Sequence, residues 1–231
     1  MKRYLLTLLA LFVVPCVLFA EETVPIALVD APIDTSNVES IKRGAKFFAA
    51  NCLSCHTLIY LRYNKLAQEA GITYEKMPVN VKNWPFGVTP PDLSLEIEAR
   101  GADWIYTYLH SFYQDSTRPT GFNNLLVPST AMPGIISAFQ GLQVKVEAPP
   151  STALFHSLQW YDLLVLQKQG SMKPDQFDAA IADLVNFLSY AAHPYQAEQQ
   201  WLGWWVLGFL VVLLVLVFYL KKEYWKDIKK K

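Results

Sequence analysis

Hydrophobic and polar positions along this chain form three kinds of pattern, and each pattern predicts a different kind of segment. Two long apolar runs without charge stand near the ends, in residues 5–19 and 201–220. Between them, apolar residues recur at intervals of three and four, which is typical of amphipathic helices. Residues 72–91 and 114–150 are rich in proline, glycine and asparagine and predict loops. We therefore expect a mainly α-helical head with long loops, followed by one C-terminal transmembrane helix.

Three apolar stripes predict the principal helices of the head. Their members are Val38, Ile41, Ala45 and Phe48; Ile105, Tyr108, Leu109 and Phe112; and Phe177, Ile181, Leu184 and Leu188. Ser36 and Glu39 have the spacing of a capping box at the start of the first helix. Asp92 and Asp103 are placed to open two further helices, and alternation in residues 142–148 predicts a short strand.

The N-terminal apolar run has the form of a secretory signal peptide. Lys2 and Arg3 precede a short hydrophobic stretch, and Ala20 is a small residue at the expected cleavage position. The run is too short for a comfortable membrane span. We therefore expect residues 1–20 to be a signal peptide that directs the rest of the chain out of the cytoplasm.

The C-terminal apolar run has the length of a membrane anchor. Its 20 residues carry no charge, and a helix of that length spans about 30 Å, the thickness of the hydrocarbon core. Six lysines follow in residues 221–231, and positive charge favours the cytoplasmic side. The pattern predicts an exported domain in residues 21–195, an anchor in residues 196–220 and a basic cytoplasmic tail in residues 221–231.

Charge is unevenly distributed along the chain. The formal net charge is zero, but residues 21–220 contain 12 Lys and Arg against 18 Asp and Glu, a formal net charge of −6. An acidic head suits a basic soluble partner that long-range attraction steers, although many solvated surfaces have the same balance. The candidates for an acidic docking face are Glu96, Glu98, Asp103, Glu147, Asp175, Asp178 and Asp183.

The motif NCLSCH in residues 51–56 is the strongest chemical signal. Once a signal peptide is removed, Cys52 and Cys55 are the only cysteines, and His56 follows directly. In an exported protein two cysteines can form a simple disulfide. The close spacing and the adjacent histidine instead suggest a redox dithiol, a zinc site or a covalent attachment site for haem.

The position of the motif separates these three chemistries. A thioredoxin-like dithiol stands at the start of a helix, where the dipole lowers the thiol pKa, whereas this pair follows the predicted end of one. A zinc site needs about four ligands, and the remaining histidines, His110, His156 and His193, form no second close pair. Cys-x-x-Cys-His is the c-type haem signature: two thiols add to the vinyl groups and the imidazole lies under the iron. The sequence therefore favours haem c, with His56 as the proximal ligand.

The sixth iron ligand decides what such a haem does. Two strong protein ligands favour electron transfer, whereas an open position favours peroxidase or oxygen chemistry. The candidate methionines are Met77, Met132 and Met172. Met132 lies between Pro128 and Pro133, which stiffen a loop, and a stiff loop suits a stable bond from iron to a thioether. We favour Met132, with Met77 and Met172 as the alternatives.

Longer motifs make the comparison with known proteins more specific. The run YLRYN at residues 60–64 follows the cysteine motif, and PPDLS occupies residues 90–94. With the AMPG motif around Met132 and the single C-terminal anchor, the chain resembles the cytochrome c1 family over most of its length. That family supplies the haem subunit of the quinol–cytochrome c reductase (bc1) complex.

This resemblance implies a fold and a set of site residues. The head would be a class I c-type cytochrome with long loops, holding one covalent haem c. The implied haem-site residues are Cys52 and Cys55 as attachment points, His56 and Met132 as axial ligands to iron, Arg100 at a haem propionate, and Tyr63 and Pro91 at the border of the pocket.

The resemblance also implies a role in a respiratory chain. The protein would pass single electrons from the Rieske iron–sulfur protein to a cytochrome c, beside cytochrome b in a bacterial cytoplasmic membrane. It would be the electron-transfer subunit of an oxidoreductase and would make or break no substrate bond itself. The alternatives are a free-standing tethered cytochrome c feeding a terminal oxidase, a haem peroxidase using His110 or His156, and a zinc or disulfide module without haem.

Overall fold

The computed structural model of the protein describes residues 26–78, 84, 87–146 and 158–226. The proposed signal peptide, Glu147, His156 and the last five residues of the basic tail lie outside the described residues. The predictions for those parts of the chain therefore stay predictions.

The described residues form eight α-helices and four short strands. In chain order these are α1 (Val38–Asn51), α2 (Lys65–Glu69), α3 (Glu96–Arg100), α4 (Ala102–His110), β1 (Phe112–Gln114), β2 (Phe122–Asn124), α5 (Ser137–Gln140), β3 (Gly141–Lys145), α6 (Trp160–Leu163), β4 (Leu164–Gln169), α7 (Pro174–Ala192) and α8 (Gln196–Lys226). Two single turns of 3-10 helix, Ile59–Leu61 and Tyr74–Lys76, stand on either side of α2. The prediction of a mainly helical head with long loops is confirmed.

The core of the head is built on the packing of α1 against α7. All four members of the predicted α7 stripe are buried, as are three of the four in α1; Val38, at 51% exposed, is the exception. The rings of Phe48 and Phe187 lie 5.8 Å apart. At the crossing, a β-carbon on Gly44 would stand 1.9 Å from the carbonyl oxygen of Asp183. The two helices therefore approach as closely as their backbones allow.

The predicted capping box at the start of α1 is wrong. The N-cap residue is Asn37, whose Oδ1 accepts a hydrogen bond from the Ser40 backbone N–H at 3.1 Å. Ser36 instead donates its hydroxyl proton to Asp34 Oδ1 at 2.6 Å. A local turn therefore takes the serine side chain away from the helix.

Asp103 holds the N-terminal lead-in rather than capping α4. Its Oδ1 accepts from the backbone N–H of Ala31 at 2.8 Å, and Thr107 Oγ1 accepts from that of Val29 at 2.9 Å. Gly101, with φ of +89°, occupies the N-cap position. The extended segment before α1 is thus tied along one face of α4.

Two antiparallel two-stranded sheets complete the head. Part of the strand predicted in residues 142–148 is observed as β3, which ends at Lys145 and pairs with β4; residues 147 and 148 lie outside the described residues. The β1–β2 pair and β4 were not predicted, because β1 and β2 have three residues each, too few to show alternation, and β4 is exposed at every residue after Leu164. The buried amide of Gln143 links the two sheets by donating to the carbonyl oxygens of His110 and Phe112 at 2.9 and 3.0 Å.

The last helix, α8, is separated from α7 by His193, Pro194 and Tyr195. Residues Gln199–Lys226 are long and apolar enough to cross a membrane, and no part of this stretch is covered by the rest of the protein. Nearly every large apolar side chain on it is exposed. The prediction of one C-terminal apolar helix is confirmed, and the exposed surface requires a lipid or protein environment.

Candidate haem site

The cysteine motif forms the turn that ends α1. The Cys52 N–H donates to the carbonyl oxygen of Phe48 at 2.8 Å, and the N–H groups of Cys55 and His56 both donate to the Cys52 carbonyl at 3.0 and 2.8 Å. Both thiols are free. One turn therefore gathers the two sulfur atoms and the imidazole at the end of a packed helix.

The environment of the thiols differs from that of a redox dithiol. Burial, followed by the charge of Cys55, raises the pKa of the Cys52 thiol to about 12. A redox-active dithiol needs a thiol that ionises easily. The buried Cys52 thiol therefore does not fit the redox dithiol interpretation, and attachment of haem at the two cysteines stays a prediction.

His56 is oriented by the carbonyl group of Pro91. The ring atom Nδ1 lies 2.9 Å from the Pro91 oxygen. Because a carbonyl oxygen only accepts, Nδ1 carries the proton, and the lone pair of Nε2 is left to bind a metal. Burial lowers the pKa of His56, which favours the neutral imidazole that ligates. Pro91 thus orients the His56 imidazole, and its place at the border of a haem pocket stays a prediction.

The loop that carries Pro91 is held by the carboxylate of Asp92. It accepts from Thr57 Oγ1 at 2.5 Å and from the N–H groups of Ile59 and Ser94 at 2.9 Å each. Burial opposes ionisation of Asp92, but these hydrogen bonds prevail and lower its pKa. The prediction that Asp92 opens a helix is wrong, because α3 begins at Glu96. The Asp92 carboxylate instead binds Thr57 and Ile59, which follow the cysteine motif.

Met132 contacts a residue that the sequence had suggested only as part of a helix stripe. The hydroxyl group of Tyr108 donates to Met132 Sδ at 3.6 Å and lies 3.0 Å from Thr130 Oγ1. Met132 and Met172 are partly buried against the core, and Met77 is buried within it. Of these three methionines, Met132 is the one whose sulfur accepts a hydrogen bond among the described residues.

The Met132 loop is organised by the buried side chain of Asn124, which is 1% exposed. Its Oδ1 accepts from the N–H groups of Leu126 and Val127 at 2.9 and 3.2 Å and from Ser111 Oγ at 3.2 Å. Its Nδ2 donates to the Tyr108 carbonyl at 2.8 Å. One amide therefore joins the start of the loop to the helix that carries Tyr108.

A second group of contacts holds the middle of the same loop. Ser129 has φ of +64°, a conformation that costs energy for a residue other than glycine. Its N–H donates to Asn123 Oδ1 at 2.8 Å, and its carbonyl accepts from Arg118 Nη2 at 2.9 Å. Beyond Met132, a β-carbon on Gly134 would lie 2.4 Å from the Phe122 ring. Side-chain contacts therefore supply much of the stiffness that the prolines had suggested.

Replacement of Asn124 by alanine tests this organisation. We expect the free energy of unfolding to fall by about 3 kcal/mol, because buried N–H and C=O groups lose their partners. Denaturant titration of the detergent-solubilised protein measures the change. Gln169→Ala removes an exposed amide from β4 and should leave the midpoint unchanged; equal midpoints for the two variants would contradict this account.

Arg100 belongs to a row of side chains along α3 and α4. Its Nε lies 2.5 Å from Glu96 Oε1, and its Cζ lies 4.4 Å from the ring centroid of Trp104. Trp104 in turn stacks on Tyr108, with centroids 5.0 Å apart and planes 8° from parallel. The pairing of Arg100 with a haem propionate stays a prediction, and the row links that arginine to the tyrosine beside Met132.

Tyr63 lies on the surface of the head. It is 81% exposed, and Arg62 Cζ lies 5.0 Å from its ring centroid. With Tyr74 it lines a cleft of about 510 Å³, whose described lining does not include the motif cysteines, His56 or Met132. Its place at the border of the haem pocket stays a prediction.

The other described histidines have structural partners. His110 is 1% exposed; its Nδ1 lies 2.7 Å from the Tyr106 carbonyl and its Nε2 lies 3.0 Å from Asp178 Oδ1. His193 Nε2 lies 2.7 Å from Glu98 Oε1. His110 is therefore not free to serve as the acid or base of a peroxidase. Within the described ranges no three His, Cys, Asp or Glu side chains are grouped to hold a metal ion, as a zinc site would require.

Paired thiols, an oriented imidazole and a hydrogen-bonded thioether match the donor set of haem c, and they stand on a head that ends in an apolar helix. These features define a membrane-anchored c-type haem protein. Residues 80–228 match the Cytochrome C1 family, and the chain belongs to that family. The protein carries covalent haem c and is a one-electron carrier, the electron-transfer subunit of an oxidoreductase complex.

Three relatives illustrate the range of similar proteins. Cytochrome c1 of Allochromatium vinosum is 39% identical over 87% of this chain and 89% of its own length. The ammonia monooxygenase gamma subunit of Nitrosomonas europaea is 37% identical over 99% of this chain and all of its own length. Cytochrome b/c1 of Bradyrhizobium diazoefficiens is 24% identical over 81% of this chain and 33% of its own length.

Proposed function

We propose that the protein relays single electrons within a quinol–cytochrome c reductase (bc1) complex, from the Rieske iron–sulfur protein to a cytochrome c. The observation that carries the proposal is the contact of His56 Nδ1 with the Pro91 carbonyl. This contact holds the imidazole in an orientation suited to binding a metal, and a separately stabilised loop carries the thioether of Met132. Two strong ligands close the iron and favour electron transfer over reaction with oxygen or peroxide.

Each site residue has a distinct role in this proposal. Cys52 and Cys55 would form the thioether links to the haem, and His56 and Met132 would be the ligands of its iron. Arg100 balances the charge of a propionate, since its guanidinium group can bind a carboxylate in two places. The bound haem supplies reversible one-electron exchange, and the protein supplies fixed ligands and a shielded environment.

The charge beside α8 supports one orientation in the membrane. Lys221, Lys222 and Lys226 stand at its C-terminal end, and positive residues favour the cytoplasmic side. We propose that the head, residues 21–195, lies in the periplasm after removal of residues 1–20. The anchor then crosses the cytoplasmic membrane of a bacterium in residues 196–220, and residues 221–231 form the tail.

Cytochrome b is the partner that we propose for the anchor. One relative is named cytochrome b/c1, and this chain aligns with a third of it; the name joins both cytochromes in one protein. The exposed apolar surface of α8 is available for packing against membrane helices. We propose that the same pairing forms here between separate chains.

The acidic head supports docking of a basic cytochrome c, but most of the candidate residues have internal partners. These pairings are Glu96 with Arg100, Glu98 with His193, Asp178 with His110, Asp183 with Arg43, and Asp103 with the Ala31 N–H. Asp175, in the first turn of α7, makes no side-chain hydrogen bond to another described residue. We propose that net charge steers the acceptor and that Asp175 is available for contact.

A second candidate function rests on the relative named ammonia monooxygenase gamma subunit, which aligns over its entire length. In that case the same haem would supply electrons to, or accept them from, a membrane oxygenase. The chemistry of the site is compatible with either assembly, because electron relay needs only the haem and its two ligands.

Co-purification distinguishes the two assemblies. The full chain with an affinity tag is extracted from its native membrane in mild detergent. We expect cytochrome b and an iron–sulfur protein to accompany it, and quinol to reduce added cytochrome c. Recovery with oxygenase subunits would favour the second candidate. Recovery alone, without quinol-dependent reduction, would indicate a free-standing tethered cytochrome.

A further inference from the structure

We propose that Tyr108 is a positioning residue that sets the strength of the iron–sulfur bond through a hydrogen bond to Met132. The proposal rests on the proposed function, because it requires Met132 to bind the iron. The Tyr108 hydroxyl oxygen lies 3.6 Å from Met132 Sδ, within the range for a hydrogen bond to sulfur. The contact joins residues 24 positions apart, which places helix α4 beside the ligand loop.

The direction of this hydrogen bond follows from the chemistry of its partners. A thioether sulfur has lone pairs but no proton, so the tyrosine hydroxyl donates. Thr130 Oγ1 lies 3.0 Å from the same hydroxyl and also accepts from the Met132 N–H at 3.4 Å. The threonine proton is then directed to the tyrosine oxygen, which leaves the tyrosine proton for the sulfur. The two hydrogen bonds therefore run in one direction: the Thr130 hydroxyl group donates to Tyr108, and the Tyr108 hydroxyl group donates to Met132.

Packing holds the Tyr108 ring in the required orientation. One face stacks on Trp104 at 5.0 Å, and the ring of Phe112 meets it edge-on at 5.0 Å. The Tyr108 carbonyl accepts from Asn124 Nδ2, the same amide that organises the loop. These contacts on several sides restrict rotation of the ring and hold its hydroxyl group towards Met132.

The hydrogen bond changes how well the sulfur donates to iron. With haem bound, one sulfur lone pair would bind the metal while the other accepts the hydrogen bond from the tyrosine hydroxyl group, which would draw electron density away from the iron. Ferric iron needs that density more than ferrous iron does, so the hydrogen bond favours the reduced state. Outer groups that bond to metal ligands tune potentials in this way. Tyr108 therefore raises the reduction potential and weakens the ferric iron–methionine bond.

Tyr108→Phe in the full-length, haem-loaded protein tests the inference, because it keeps the ring and removes the hydroxyl. We expect a lower reduction potential in spectroelectrochemical titration and retention of the near-infrared band of ferric iron–methionine coordination. Displacement of the methionine from ferric haem by imidazole should weaken about fivefold, the factor expected for one hydrogen bond. Thr130→Val should shift both quantities in the same direction by less.

Tyr106→Phe is the matched control. It makes the same chemical change on the same helix, where the hydroxyl donates to no described side chain. Equal potentials and equal imidazole affinities for the Tyr106 and Tyr108 variants would overturn the inference while leaving Met132 as the ligand. Absence of the iron–methionine band from the unmodified protein would overturn the ligand itself. These two failures are distinguishable, since the second is visible before any substitution is made.

Discussion

Replacement of Met132 by leucine is expected to lower the reduction potential of the haem by about 0.1 V or more, within the roughly 0.8 V that axial ligands span. Leucine has nearly the volume of methionine, so the partly buried side chain keeps its packing. Leucine has no atom that can bind iron, so the haem loses its thioether ligand. A thioether favours the reduced, ferrous state, and its loss therefore lowers the potential. Potentiometric titration measures the fall, and loss of the near-infrared iron–methionine band reports the cause.

Met77→Leu and Met172→Leu are the matched controls for that experiment. Both residues pack with the core, and neither sulfur accepts a described hydrogen bond, so the potential and the near-infrared band should stay as they were. Loss of the band in either variant, with an unchanged Met132→Leu protein, would transfer the ligand role to that residue. The three substitutions together decide between the candidates that the sequence left open.

Alanine at Gly44 is expected to lower the free energy of unfolding by about 3 kcal/mol, even though alanine favours a helix by about 1 kcal/mol over glycine. The added carbon would stand 1.9 Å from the Asp183 carbonyl oxygen and 2.8 Å from Phe187 Cβ. Both atoms belong to the backbone or lie next to it, so α1 and α7 must separate. Denaturant unfolding followed by the Soret absorbance measures the loss.

Lys46→Ala is the control for the same helix. Lys46 is exposed on α1, so its replacement changes helix propensity only slightly and should leave the midpoint within about 0.5 kcal/mol. A Gly44→Ala protein as stable as this control would show that the helices can move apart freely. Because α1 ends at Asn51, directly before Cys52, separation of the helices should also disturb the turn that carries the two cysteines.

Local signals account for the parts of the site that were predicted. Cys52, Cys55 and His56 are adjacent in the chain, so one helical turn suffices to bring them together. The α7 stripe was predicted in full, because side-chain periodicity reports which helix face is buried. Neither feature depends on contacts between residues that are far apart in the chain.

Distant contacts account for what was missed. Asp92 was assigned to a helix start, yet its partners Thr57 and Ile59 lie 35 and 33 positions away. Tyr108 was assigned only to an apolar stripe, which is correct for its ring and says nothing of its hydroxyl group. The exception is local: Ser36 does not cap α1, because its hydroxyl group donates to Asp34 and Asn37 occupies the N-cap position.

The sequence by itself determined the haem attachment motif, the helical class of the head, the apolar terminal helix and the resemblance to the cytochrome c1 family, since each is written in neighbouring or periodic residues. Only the tertiary structure decided how the proposed ligands are held: the Pro91 carbonyl contacts His56, the Asn124 amide organises the loop, and the Tyr108 hydroxyl group donates to Met132. Those hydrogen bonds join residues far apart in the chain. Their formation depends on the close packing of helices, which no local pattern encodes.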